Sequence, residues 1–256
     1  MPKYWMINDR SQGGVGPDVN TDGVTYWVSD KQPLTDINNW RKVTAANFQK
    51  LLVAAADNFP AHDPAENEKQ SHVTILVHGF NNKFTSFDWL VERQQATVSN
   101  PAKACKAKVS LIAHSMGNYV VQKAMAAAWT RKNQPLLVSL INQLLMVAAD
   151  VDGDLFDMGA PDNNDGNAVA NLTYRITALY SGRSGLSHRP PLADPSSPTD
   201  NVWDVDCSSF FNPSVQDIHG AYFLTDGTLN LMRYVLRGLD RGVLETLGYT
   251  KGTAWP

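Results

Sequence analysis

The sequence predicts an α/β fold, one domain built on a mainly parallel sheet with helices on both faces, and three observations predict it. Strand-like and helix-like segments alternate along the chain, the pattern of parallel strands joined by crossover helices. The run His72-Val73-Thr74-Ile75-Leu76-Val77 is continuously β-branched and apolar, as suits a strand buried on both faces. A second apolar run, Val109-Ser110-Leu111-Ile112-Ala113-His114, passes directly into Ser115 with small residues, Ala113 and Gly117, two positions either side. That spacing fits a sharp, strained turn from strand to helix. At 256 residues the chain is long enough to fill one such core. Residues 1–256 therefore read as one domain, and residues 1–70 as its N-terminal strands and helix.

Taken in order, residues 3–8 and 24–29 read as the sheet's opening strands, separated by a glycine-rich turn region at 13–23. Residues 44–59 repeat Phe48, Leu51, Leu52, Ala55 and Phe59 on one helical face, and a polar linker follows at 60–70. The strand at 72–77 ends at His78-Gly79-Phe80-Asn81-Asn82, after which residues 84–95 read as a helix. Beyond Ser115, residues 118–132 carry Val120, Val121, Ala124, Met125 and Ala128 at near-helical spacing. Three more strands are expected at 140–149, 174–181 and 201–207, and a last helix at 228–247.

A net charge of −3 with no basic run argues against nucleic acid as the partner, since phosphate binding needs clustered Lys and Arg. The short group Lys103, Lys106 and Lys108 reads as a solvated helix end. The N-terminus lacks the apolar core of a signal peptide and no run is long enough to span a bilayer, so a cytoplasmic location is expected. Cys105 and Cys207 stand far apart with no neighbouring ligand pattern, which points to reduced thiols and to neither a disulfide framework nor a zinc site. No cofactor and no metal are expected, and nothing here fixes the oligomeric state.

A serine hydroxyl is a poor nucleophile until a base takes its proton, and acyl transfer also needs oxyanion donors and a group that orients the base. Ser115 is the candidate nucleophile. The first oxyanion donor is the backbone N–H of Met116, next in the chain; the second is assigned to Phe80, in the loop after the 72–77 strand. In that loop Gly79 lets the backbone approach a substrate oxygen, and His78, Gly79 and Asn81 are candidate substrate contacts. On α/β sheets of this kind the nucleophile, acid and histidine follow in that chain order. Of the six histidines, the order leaves His188 and His219 as the base. His219 is preferred because it lies past the last strand and before the terminal helix. The acid is assigned to Asp150, the first residue past the apolar run 140–149, with Asp152 second. The spaced aspartates Asp150, Asp152 and Asp154 also resemble the start of a calcium loop, but the glycine is misplaced and no glutamate closes it.

Together His78-Gly79-Phe80-Asn81-Asn82, Ala113-His114-Ser115-Met116-Gly117-Asn118, Ala148-Ala149-Asp150-Val151-Asp152 and His219-Gly220-Ala221-Tyr222-Phe223 resemble a bacterial family of α/β-hydrolase-fold esterases of the DUF900 type. The resemblance runs from about residue 73 to 239. It implies a single α/β-hydrolase-like domain and a serine carboxylesterase acting on a small-molecule ester, with Ser115 and His219 in the matching positions. Two departures stand out. Family members usually have a further strand and helix before the elbow strand, where this chain has only residues 83–108, so the domain reads as shortened between the oxyanion loop and the elbow. They also often carry an aspartate just after the Tyr180-Ser181 position, where this chain reads Gly182-Arg183-Ser184. Amide hydrolysis and acyl transfer to another alcohol use the same residues. The alternative of another class is a catalytically inactive hydrolase fold that serves as a binding protein.

Overall fold

The computed structural model describes residues 4–8, 24–33, 36–58, 72–77, 108–132, 140–157, 162–182, 201–215 and 217–249. Two sheets are present. Strands β1 (Tyr4–Asn8), β2 (Thr25–Ser29) and β3 (Arg41–Val43) form a three-stranded antiparallel sheet in that order, with Tyr4 opposite Ser29 and Tyr26 opposite Val43. The first two strands therefore lie where the sequence puts them, but they pair with each other and do not open the parallel sheet. Helix α1 (Ala45–Asp57) follows directly; it buries Phe48 and Ala55, and the Phe48 ring meets that of Tyr26 at 5.3 Å.

The second sheet holds β4 (His72–Val77), β5 (Lys108–His114), β6 (Ile141–Val147), β7 (Thr173–Tyr180) and β8 (Val202–Asp206), in sequence order and all parallel. Between β5 and β6 runs α2 (Gly117–Lys132), and between β6 and β7 runs α3 (Asn163–Leu172). Successive right-handed crossovers that step the same way across a sheet put their helices on one face, and α2 and α3 do share one. There Val121, Met125 and Ala128 of α2 and Val169 and Leu172 of α3 pack with Leu111, Ala113, Leu144, Met146 and Ile176 of the strands. The chain after β8 is free of that constraint. It covers the opposite face with α4 (Ile218–Ala221), α5 (Asp226–Leu236) and α6 (Arg241–Thr246). Ile218, Leu231, Met232, Val235 and Leu244 meet Leu145, Val147, Leu179, Trp203 and Val205.

Two expectations need correction. The terminal helix at 228–247 is two helices. Gly238 takes a left-handed φ of 83°, and its N–H reaches the carbonyl of Val235 (2.8 Å) while that of Leu239 reaches Tyr234 (3.1 Å), a glycine-terminated helix end that turns the chain. Helix α3 was not foreseen at all. The 78–82 loop, the 84–95 helix, the 60–70 linker, Cys105 and His188 lie outside the described residues. Among the described residues no helix is long and apolar enough to cross a membrane.

Candidate active site

The carboxyl ends of β5 and β6 meet at Ser115. β5 ends at His114, paired with Val147 of β6, and Ser115 then adopts φ 55° before α2 starts at Gly117. A non-glycine residue rarely holds such a conformation, because its Cβ crowds the following carbonyl. Here the turn is held from several sides. The Ser115 N–H donates to the Val147 carbonyl (3.0 Å), and the Ser115 carbonyl accepts from the N–H groups of Asn118 and Asp150, each at 3.1 Å. The Asn118 side-chain amide adds a donor to the same oxygen (3.0 Å), and it also reaches Ala113 (3.0 Å) and Val147 (3.4 Å). Asn118 is buried. Its place three residues past the serine, in the first turn of α2, points its side chain back over the strand ends. In sequence Asn118 stands out only as part of the motif after Ser115, with no sign of these contacts.

Asp150 stands beside the elbow through its backbone, while its side chain lies in an exposed position. The chain reaches it because Ala148 also turns left-handed, φ 43°, its N–H still bonded to the Leu179 carbonyl at 2.9 Å. Asp152 is exposed, and its carbonyl accepts the Leu155 N–H (3.2 Å), closing a turn. Among the described residues, no three His, Cys, Asp or Glu side chains gather as a metal would require.

His219 sits in the short turn α4, which Asp217 caps by accepting the Gly220 N–H at 3.5 Å. The fold carries this turn back to the elbow. The His219 and His114 rings lie with centroids 4.7 Å apart, and the His114 Nε2 is 2.9 Å from the His219 carbonyl oxygen. Ser115, Met116, Asp150 and His219 are thus gathered at the carboxyl edge of the sheet, where the strands of an open α/β sheet place their ligands. His78, Gly79, Phe80 and Asn81 follow β4 directly but lie outside the described residues.

A further carboxylate stands three strands from the elbow strand. Asp206 ends β8, paired with Tyr180, and accepts from the backbone N–H (2.8 Å) and hydroxyl (2.5 Å) of Ser208. The Ser208 oxygen in turn accepts the Gly182 N–H at 2.8 Å. The end of β7 therefore does have an aspartate beside it, contributed by the neighbouring strand. Burial, then the charges of Asp206 and Asp204, push the Tyr180 hydroxyl pKa above its ordinary value. Burial first and Asp206 second do the same to the Cys207 thiol.

Residues 92–184 match the family described as "Alpha/beta hydrolase of unknown function (DUF900)". No curated protein matches the chain. Among solved structures, a lipase-esterase related protein from Clostridium acetobutylicum ATCC 824 is similar at 10% identity and a TM-score of 0.31, over 66% of this chain and 94% of that one. That likeness is too distant to carry an argument. The family match holds the elbow strand, Ser115, α2, β6, the Asp150 strand end and all of β7, and over that stretch this chain is similar to the DUF900 family of α/β hydrolases.

Proposed function

We propose that the protein is a serine hydrolase that cleaves carboxylic esters through an acyl-enzyme. In this reading His219 takes the Ser115 proton as the oxygen attacks the ester carbonyl. The N–H groups of Met116 and Phe80 bind the oxyanion, and His219 returns the proton to the leaving alcohol. Water, deprotonated by His219, then attacks the acyl group and restores Ser115. Asp150 orients His219, with Asp152 second, and His78, Gly79 and Asn81 border the substrate. The observation that carries the reading is the left-handed Ser115, φ 55°, between a parallel strand and its helix. Nothing in a merely capping serine calls for that strain, whereas a nucleophile that must stand clear of the sheet does.

The test is hydrolysis of p-nitrophenyl acetate and butyrate by the wild type, Ser115→Ala and His219→Ala. Both variants are expected to lose at least about a thousandfold in kcat/KM. Equal background rates for wild type and Ser115→Ala would overturn the reading and leave a binding protein on a hydrolase fold. Among Asp150→Asn, Asp152→Asn and Asp206→Asn, the largest loss in kcat is expected at Asp150.

A further inference from the structure

The histidine that chain order removes from the list of bases has its own place in the site. His114 is buried, at 7% exposure, and its ring touches His219 in two ways. The ring centroids lie 4.7 Å apart with the planes tilted by 43°, and Nε2 is 2.9 Å from the His219 carbonyl oxygen. The ring of Phe223, four residues past His219, meets the His114 ring edge-on at 5.2 Å and 88°. A carbonyl oxygen only accepts, so the proton of this bond resides on Nε2. His114 is also bonded covalently to Ser115, and its backbone is fixed by the β5–β6 ladder and by the bonds that hold the elbow.

From this geometry we infer that His114 is a positioning residue, resting on the serine-hydrolase reading, that ties the turn carrying His219 to the residue adjoining the nucleophile. Ile218 and Ala221, either side of His219, anchor the four-residue helix α4 in the core, and its capping bond is long, at 3.5 Å; the His114 bond adds a tie from the His219 backbone itself to the elbow strand. That tie comes from β5. The His114 ring and its one hydrogen bond link the His219 backbone to the residue beside Ser115 and so help set the separation of nucleophile and base. Reaction rates depend steeply on such separations, and a displacement of about 1 Å can cost on the order of a hundredfold.

The experiment compares His114→Gln and His114→Asn in the full chain. Glutamine places an amide N–H near the position of Nε2; asparagine, one methylene shorter, falls short of the His219 carbonyl. With wild type, Ser115→Ala and His219→Ala alongside, His114→Asn is expected to lose on the order of a hundredfold in kcat with KM unchanged, and His114→Gln to recover most of it at a similar melting temperature. In the same samples 15N spectra of the imidazoles at neutral pH should show His114 protonated on Nε2, in Ser115→Ala as in wild type. That readout needs no turnover. Equal kcat for the Asn and Gln variants, or an Nδ1-protonated His114, overturns the inference while Ser115→Ala still reports on the hydrolase reading. A wild type no faster than Ser115→Ala removes the hydrolase reading and the inference with it.

Discussion

Ser115 and Ala148 are the non-glycine residues with positive φ among the described residues, at 55° and 43°, and they end adjacent strands. Each left-handed residue costs about 1–2 kcal/mol, so the bonds that converge on the elbow must outweigh that strain. Only the first of the pair was legible in the sequence. Ser115 is announced by Ala113 and Gly117, small because nothing larger fits the turn. Alanine at 148 carries no signal for a left-handed backbone, and neither His114 nor Asn118 declares which distant atoms it reaches. Burial without a partner is equally silent in sequence. The Tyr222 ring is fully buried against Phe211, centroids 4.9 Å apart, and its hydroxyl has no hydrogen-bond partner among the described residues. An unpaired buried hydroxyl costs about 1–3 kcal/mol. Tyr222→Phe keeps the ring and is expected to raise stability by about 1 kcal/mol, measured by urea unfolding; a loss of that size would mean that the hydroxyl is paired in solution.

Elements were legible in proportion to their apolar content. β4 matches its expected bounds, and α1, α2, β6, β7 and β8 fall within two residues of theirs, because apolar strand runs and one-sided helices show in pattern alone; β4 is, however, the edge strand among the described strands and not buried on both faces, with Leu76 58% exposed. Helix α3, Asn-Asn-Asp-Gly-Asn-Ala-Val-Ala-Asn-Leu, reads as a loop by composition. It is made by tertiary contact. Lys123 and Gln122 of α2 hold Asp165 and Asp162 at its start, Lys123 to Asp165 at 2.6 Å; the Asp165 hydrogen bond raises the Lys123 pKa. Gly166 lies so close to the 152–157 turn that a Cβ there would stand 2.0 Å from the Leu155 carbonyl oxygen. Alanine gains about 1 kcal/mol over glycine in a helix interior, but the clash is with backbone and cannot be relieved by a rotamer change. Gly166→Ala is therefore expected to destabilise by a net of about 2 kcal/mol or more, read from the shift in denaturant midpoint. A stabilised variant would show that α3 does not pack on that turn.

For the molecule as a whole the two sheet faces have different histories, the crossover helices on one and the chain after β8 on the other, and the second face is where the buried titratable groups collect. Cys207 and Tyr222 lie in that core, with pKa values pushed above their ordinary 9.0 and 10.0 chiefly by burial; Tyr180 and Lys123 are raised as well. The sign follows from linkage. A raised folded pKa means that the unfolded chain releases its proton first as pH rises, so each such group costs no stability below its ordinary value and lowers it above. For the buried Cys207 and Tyr222 the slope is roughly 1.4 kcal/mol per pH unit each, between the unfolded and folded pKa values. Stability is expected to be level with respect to these groups below pH 9 and to fall steeply above about pH 10, measured by urea unfolding as a function of pH. Tyr222→Phe should make the fall shallower; an unchanged slope would mean that Tyr222 ionises freely in the folded state.

The strand order β4-β5-β6-β7-β8 repeats the order of the chain. Each parallel strand, as it leaves the ribosome, finds its partner in the strand made just before it, and none has to be inserted between two that are already paired. The sheet grows at one edge in the direction of synthesis, each strand pairing with the one before it, which keeps the entropy of closing each new loop low. The face under α2 and α3 closes as synthesis proceeds, while the other waits for the segment after β8. His219 belongs to that segment, so the catalytic machinery proposed here is completed only after all five parallel strands have been made.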